Sequence, residues 1–246
     1  MRKIILFILV ALSVSAQAQT VKVAAAANLR YILEEINAKY IETHPKVKVE
    51  VTLGASGALT TQIINGADFN FFMSADIKFP QKLKEQGCAE GVVKTYGFGK
   101  LALWSTVLDV SKGIEVLKKP DIKRISIAKP ELAPYGERAV QCMKYYGLYD
   151  VSKKKLVYAD NITQAAQFAE TGNAELAFIA YALLFGPEMQ GKGSFYLLDA
   201  QSYKPVEQAC VLLKAWKPNP EAAKFMRFVL SAECKPIFEK FGFIVP

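Results

Sequence analysis

Four stretches of this chain, AAAANLRYIL (24–33), GASGALTTQI (54–63), APYGERAVQC (133–142) and DNITQAAQFA (160–169), decide its fold. Each closes an apolar strand-like run or a loop and opens a helical pattern with small or polar residues. A helix start leaves backbone N–H groups without intrahelical acceptors and carries a partial positive charge, so it can seat an anion. None of the four has a basic side chain at the junction itself. Together they describe a neutral pocket of donors for a small oxyanion.

Outward from these junctions, strands and helices alternate. Strands are predicted at 21–26, 48–54, 69–75, 99–105, 124–130, 155–159 and 175–180, with two more in SFYLLDA and EQACVLLKA. Helices are predicted at 29–43, 58–65, 77–86, 111–118, 136–146 and 162–171, and a closing pair at 220–230 and 234–241. Such alternation implies α/β lobes with mostly parallel sheets flanked by helices. Two runs, near 20–98 and 124–200, are each the size of a small lobe. The closing helices are expected to pack back on the first, with crossovers near 99–105 and 205–217. The expected division is 1–19 as a leader, 20–100 with 216–246 as lobe 1, and 101–215 as lobe 2. Ligands of such folds sit beyond the carboxyl ends of the parallel strands, where all four junctions fall.

The leader has the form of a secretory signal. Arg2 and Lys3 precede an apolar run from Ile4 to Val14, then Ala16-Gln17-Ala18. The run is short for a membrane span, and no cysteine follows it at a lipoprotein-type position. The net charge of +8 becomes +6 once Arg2 and Lys3 are removed. The lysines are scattered apart from 153–155, and export argues against a nucleic-acid role. Four cysteines, Cys88, Cys142, Cys210 and Cys234, have no C-x-x-C spacing, which argues against zinc. In an oxidising compartment disulfides are plausible. Spacing cannot choose among the three pairings, but the lobe division favours Cys88–Cys234 and Cys142–Cys210.

Catalytic motifs are lacking. The single histidine, His44, lies in the turn IETHPKV, away from every junction. There is no G-x-S-x-G, no H-E-x-x-H and no phosphate loop with lysine, so a binding protein is expected rather than an enzyme.

The AAAANL junction, the block GASGALTTQI with NGADFNFFMSAD, the segment IAKPELAPYGERA, the stretch ELAFIAYALL and the closing FEKFGFIVP resemble the periplasmic molybdate-binding protein family of ABC transporters. The resemblance covers nearly all of the chain beyond the leader. It implies a two-lobed periplasmic binding protein fold (type II) with hinge crossovers, closing on molybdate or tungstate, with no cofactor. Its implied partners are a membrane permease and a cytoplasmic ATPase, and the binding protein itself is expected to be a monomer. Carried over position by position, the ligand residues are Ala27 and Asn28, Ser56, Tyr135, and Ile162 through its backbone N–H. Many members have serine at the first position and alanine at the third; Asn28 and Tyr135 resemble a subset. Many also place a tyrosine after the late strand. Direct register puts Ala180 there, with Tyr181 adjacent, so Tyr135 is expected to take the hydroxyl role, with Tyr181 a lesser candidate.

Molybdate near neutral pH is an unprotonated tetrahedral dianion whose oxygens only accept hydrogen bonds. A donor-only pocket fits it and disfavours hydrogen phosphate, whose proton needs an acceptor. Another tetrahedral oxyanion, sulfate or thiosulfate, would use the same donors and is the alternative. The leader carries the first test: the exported protein should begin near Gln19, and an intact mass retaining Met1 would contradict the signal reading.

Overall fold

The computed structural model describes residues 19–214 and 219–246; the expected signal segment up to residue 18 and Trp216 fall outside them. The first sheet holds β1 (Gln19–Ala26), β2 (Val47–Gly54), β3 (Phe71–Ser74), β4 (Ala89–Gly99) and β10 (Val206–Leu213), in the order β2-β1-β3-β10-β4. The second holds β5 (Leu101–Ser105), β6 (Ile125–Ala128), β7 (Leu156–Ala159), β8 (Leu176–Ala180) and β9 (Ser194–Leu197), in the order β7-β6-β8-β5-β9. This is the two-lobed α/β binding-protein fold.

The sheets share one irregularity with a simple cause. In each, β10 or β5 runs antiparallel to both of its neighbours, while the flanking ladders β1·β2, β1·β3, β6·β7 and β6·β8 are parallel. Both reversed strands are those that follow a crossing from the other lobe. A parallel strand in these lobes ends at the cleft; a chain arriving across the cleft must start there and run the other way. The crossings are Gly99–Leu101, between β4 and β5, and the segment 198–205, between β9 and β10. β10 therefore belongs to the first sheet, and the second lobe ends near 205 rather than at the expected 215.

Burial follows position in the sheet. The inner strands β3 (FFMS), β6 (ISIA) and β8 (LAFIA) are buried along their whole length, as strands covered on both faces must be. The edge strand β2 is never fully buried and mostly alternates half-buried with exposed positions. Helices α1 (Arg30–Thr43), α2 (Ser56–Ile64), α3 (Lys78–Glu85), α7 (Pro220–Val229) and α8 (Lys235–Lys240) cover the first sheet. Helices α4 (Pro134–Tyr145), α5 (Tyr149–Ser152) and α6 (Ile162–Glu170) belong to the second lobe. The closing pair α7 and α8 packs on α1, as the sequence predicts. The helix expected at 111–118 is a 3-10 turn, Ile114–Lys118. Trp104 is fully buried, with its indole N–H donating to the Lys192 carbonyl (3.0 Å).

The two disulfides favoured by the lobe division do not form: Cys88, Cys142, Cys210 and Cys234 are all free thiols. The sheet explains both failures. Phe71 and Met73 of β3 face one core, which includes Cys234, while Phe72 faces the other, against which Cys88 packs. Cys88 and Cys234 thus lie on opposite faces of the first sheet. Cys142 is on α4 of the second lobe and accepts a hydrogen bond from Ser202 Oγ, whereas Cys210 is in β10 of the first sheet. Burial pushes the Cys142 and Cys234 thiols up to about 11, which leaves little thiolate to oxidise. Thiol titration of the denatured, unreduced protein should find four reactive groups per chain; two or none would restore a disulfide.

Candidate functional site

The four junctions sit at the carboxyl ends of parallel strands. β1 ends at Ala26 and passes through the 3-10 turn Ala27–Leu29 into α1. β2 ends at Gly54, two residues before α2. In the second lobe β6 leads to the start of α4, and β7 to the start of α6. The connections are short, so each helix presents its first turn at the cleft.

Contacts between lobes bring these starts together. The Gly57 N–H, in the first turn of α2, donates to the Leu132 carbonyl just before α4 (2.8 Å). Thr163 Oγ1, in the first turn of α6, donates to the Ala27 carbonyl (3.1 Å). Asn28 and Tyr135 meet through one side chain, Gln208 of β10. The Asn28 amide lies 3.0 Å from Gln208 Oε1, and Gln208 Nε2 lies 2.9 Å from Tyr135 Oη. Asn28, Ser56, Tyr135 and Ile162 are 2%, 1%, 2% and 4% exposed, so the lobes are closed over them.

Ser56 is the first residue of α2 rather than its cap; Ala55 precedes the helix with no side-chain bond. Ser56 Oγ accepts from the Ala75 N–H (3.0 Å), which leaves its hydroxyl proton to donate elsewhere. Ile162 opens α6, and its side chain is buried in the core. The cap of α6 is Asn161, whose side chain accepts from the Gln164 N–H (3.0 Å). Asp160 pairs with Lys129 on the surface (2.5 Å). Ala27 supplies only backbone. The Tyr135 hydroxyl is packed against Gly99, where a Cβ would lie 2.1 Å away, and is engaged by Gln208. Burial pushes this hydroxyl far above the usual tyrosine range, so it stays protonated. Tyr181 is placed elsewhere: its ring meets Phe185 (5.2 Å between centroids) and Phe195 (5.8 Å) and covers Gly242 of the C-terminal loop.

Three residues of the site carry no signal in the sequence pattern. Gln208 is fully buried in the strand VEQACVLL, next to the partly buried Glu207, and could be marked only as a polar residue in an inner strand. Thr163 follows the expected ligand residue Ile162. Arg138, on α4, reaches across to Asp76 of the first lobe (2.6 Å), and both side chains are more than nine-tenths buried. Its guanidinium also donates to the Lys204 carbonyl (2.9 Å) and the Pro205 carbonyl (3.2 Å) of the return crossing. Asp76 Oδ1 caps α3 by accepting from the Lys78 N–H (3.0 Å). This buried cation is committed to two carboxylates, Asp76 and Glu137 (3.1 Å), and two carbonyls, so it leaves no free charge for a ligand. On the opposite flank Glu188 of the second lobe accepts from Tyr31 and pairs with Arg30 (3.4 Å).

Closure depends on Gly57 having no side chain. A Cβ there would lie 2.9 Å from the Leu132 carbonyl oxygen and 3.1 Å from its Cα. Overpacking of this kind costs about 1–3 kcal/mol, here charged mainly to the closed state, because the same-lobe contact, 3.3 Å to the Phe79 ring, is looser. Gly57→Val should fold normally, bind ligand roughly fivefold to a hundredfold more weakly and show a larger radius of gyration by small-angle scattering with ligand present. An unchanged closed radius would contradict this account of the interface.

With this geometry in view, residues 21–244 match the family model described as bacterial extracellular solute-binding protein. The molybdate-binding protein ModA of Azotobacter vinelandii is 38% identical over 234 residues, covering 94% of this chain and 92% of its own. ModA of Rhodobacter capsulatus is 36% identical over 240 residues, covering 97% and 94%. The solved structure of the Azotobacter vinelandii periplasmic molybdate-binding protein superposes with a TM-score of 0.84 at 32% identity, over 92% of this chain and 99% of that one. The sulfate-binding protein SubI of Mycobacterium tuberculosis shares the fold, with a TM-score of 0.75 at 12% identity. This chain belongs to the bacterial extracellular solute-binding protein family.

Proposed function

We propose that this protein captures molybdate or tungstate between its lobes in the periplasm and delivers it to the permease of an ABC transporter. The observation that carries the reading is the convergence of four helix starts, two from each lobe, on a buried cluster whose one nearby buried cation is already neutralised. A fully ionised tetrahedral anion is held there by dipoles alone. The relatives named for molybdate, which this chain matches over nearly its whole length, support the same ligand.

Each part has a role. Ser56 contributes its hydroxyl proton, oriented by the Ala75 N–H that occupies an acceptor position of the oxygen. Asn28 contributes its side-chain amide. The first-turn N–H groups of Ser56, Tyr135 and Ile162 point along their helix axes into the cleft. Tyr135 acts through its backbone, because its hydroxyl is packed against Gly99 and faces Gln208 rather than the helix starts. Tyr181 serves closure through its ring, which covers Gly242 of the C-terminal loop in the first lobe. The cycle is a two-state hinge: one lobe loads, the other closes and completes the donor shell, and the closed face is presented to the transporter. It requires no cofactor and no chemistry on the ligand, and a single chain suffices.

Hydrogen bonds to a charged acceptor contribute about 1.5–3 kcal/mol each. Ser56→Ala should therefore weaken molybdate binding roughly tenfold to a hundredfold by calorimetry, with the fold intact. In a thermal-shift panel, molybdate and tungstate should stabilise the wild-type protein while sulfate, thiosulfate and phosphate do not. Stabilisation by sulfate or thiosulfate alone would replace the molybdate reading with the alternative oxyanion.

A further inference from the structure

Gln208 sits at the centre of a buried cluster whose hydrogen bonds do not balance in their simplest arrangement. Gln208 Oε1 lies 3.0 Å from Asn28 Nδ2 and 2.9 Å from Tyr96 Oη, and Gln208 Nε2 lies 2.9 Å from Tyr135 Oη. Tyr96 Oη also lies 3.0 Å from the Ser74 carbonyl. With the amides so arranged, the one hydroxyl proton of Tyr96 must serve two acceptors. Asn28 Oδ1, in a residue 2% exposed, is left with no partner at all. A buried polar atom without a partner calls for an explanation.

Oxygen and nitrogen in an amide side chain occupy nearly equivalent positions, and their partners decide which is which. Turning both amides over, with every heavy-atom position kept, repairs the cluster. Gln208 then donates its two N–H bonds to Tyr96 Oη and to the Asn28 oxygen. Tyr96 gives its proton to the Ser74 carbonyl alone. Tyr135 gives its proton to the Gln208 oxygen, which agrees with a hydroxyl that burial keeps protonated. The unpartnered position on Asn28 becomes its N–H₂, a donor awaiting an acceptor.

We propose that Gln208 is a positioning residue for ligand selectivity: it fixes the Asn28 amide with its oxygen inward and its N–H₂ toward the bound anion. Unlike the backbone N–H groups around it, the Asn28 amide could present either polarity, and unlike a hydroxyl it cannot present both from one atom. Held this way it accepts nothing from the ligand, so an unprotonated XO₄ dianion is favoured and a protonated one, such as hydrogen phosphate, is excluded. Tyr96 and Tyr135 hold Gln208 from its two ends, so the selection reaches from the core of the first sheet and the start of α4 to a single amide. The inference rests on the oxyanion reading of the site.

The test pairs a direct observation with two variants of the full mature chain. Neutron diffraction from deuterated, ligand-free crystals should place deuterons on the Gln208 atom that faces Asn28; deuterons on the Asn28 atom facing Gln208 would overturn the proposal. Gln208→Glu offers only acceptors, so it should draw the Asn28 N–H₂ inward and turn its oxygen to the cleft. Calorimetry with molybdate, and displacement of molybdate by phosphate at a pH where both are dianions, should show molybdate affinity falling about a hundredfold and the molybdate-to-phosphate ratio narrowing by about tenfold or more. The added negative charge acts on both dianions equally, so an unchanged ratio would also overturn the proposal. Gln208→Met, which steers Asn28 neither way, should lose roughly tenfold for molybdate; wild-type affinity in both variants would contradict the role. If Asn28→Ala left molybdate affinity unchanged, the site assignment itself would fail, and the neutron result would still report the amide orientation independently.

Discussion

First-turn backbone N–H groups cannot be satisfied by their own helix, and they cannot be buried unpaired without cost. This chain gathers four such helix starts at one closed cleft. Some of the groups find protein partners: Gly57 donates across the cleft to Leu132, and the Asn161 side chain caps its own helix by taking the Gln164 N–H. Others, at Ser56, Tyr135 and Ile162, open their helices with no helical acceptor available. The cleft is therefore built to be completed by something that only accepts. Residues that could have neutralised it from within are turned away. Asp160 pairs with Lys129 outside, and Asp76 is held by Arg138.

The topology makes that gathering possible. Both sheets direct their parallel strands at the cleft, and the two strands that cross it run back. The crossings are the natural hinge, and Arg138 grips the return crossing through the carbonyls of Lys204 and Pro205 while pairing with Asp76. One buried guanidinium thus ties the second lobe to the first and to the hinge at once. A buried pair of this kind is weak evidence for stability as such, since desolvating both ions offsets their attraction. Its value is geometric, because it is fully satisfied only when α4 and the α3 start are brought together. The Gly57 contact and the Glu188 contacts to Arg30 and Tyr31 bound the same closed state on its other sides.

Much of this was legible in the sequence. Short apolar strands followed by small and polar helix openers marked the α/β lobes and the four junctions, because helix starts have local chemical signatures; the individual residues Ala27, Asn28, Ser56, Tyr135 and Ile162 came from the resemblance to the molybdate-binding family. What the sequence did not carry depends on which face or which lobe a residue reaches. The Cys88–Cys234 and Cys142–Cys210 pairings failed because sharing a lobe does not mean sharing a face, and because β10 belongs to the first sheet rather than the second. Gln208 escaped notice since a polar pair, Glu207 and Gln208, at the start of a mostly apolar strand has no period to betray its partners. The resemblance points to Tyr135 through its hydroxyl, but the neighbours of that hydroxyl, Gly99 and Gln208, come from another strand and another lobe and leave no mark near residue 135. Arg138 carries no local signal, because its partner Asp76 lies 62 residues away in the other lobe.

The central claim is that a tetrahedral metal oxyanion occupies the point where the two lobes' helix starts converge. Anomalous diffraction at the molybdenum absorption edge, on crystals grown with molybdate, tests it most directly. The account requires one strong peak per chain, enclosed between Asn28 and Ser56 of the first lobe and the starts of α4 and α6 in the second. A peak outside the cleft, or a cleft free of anomalous density at saturating molybdate, would contradict it.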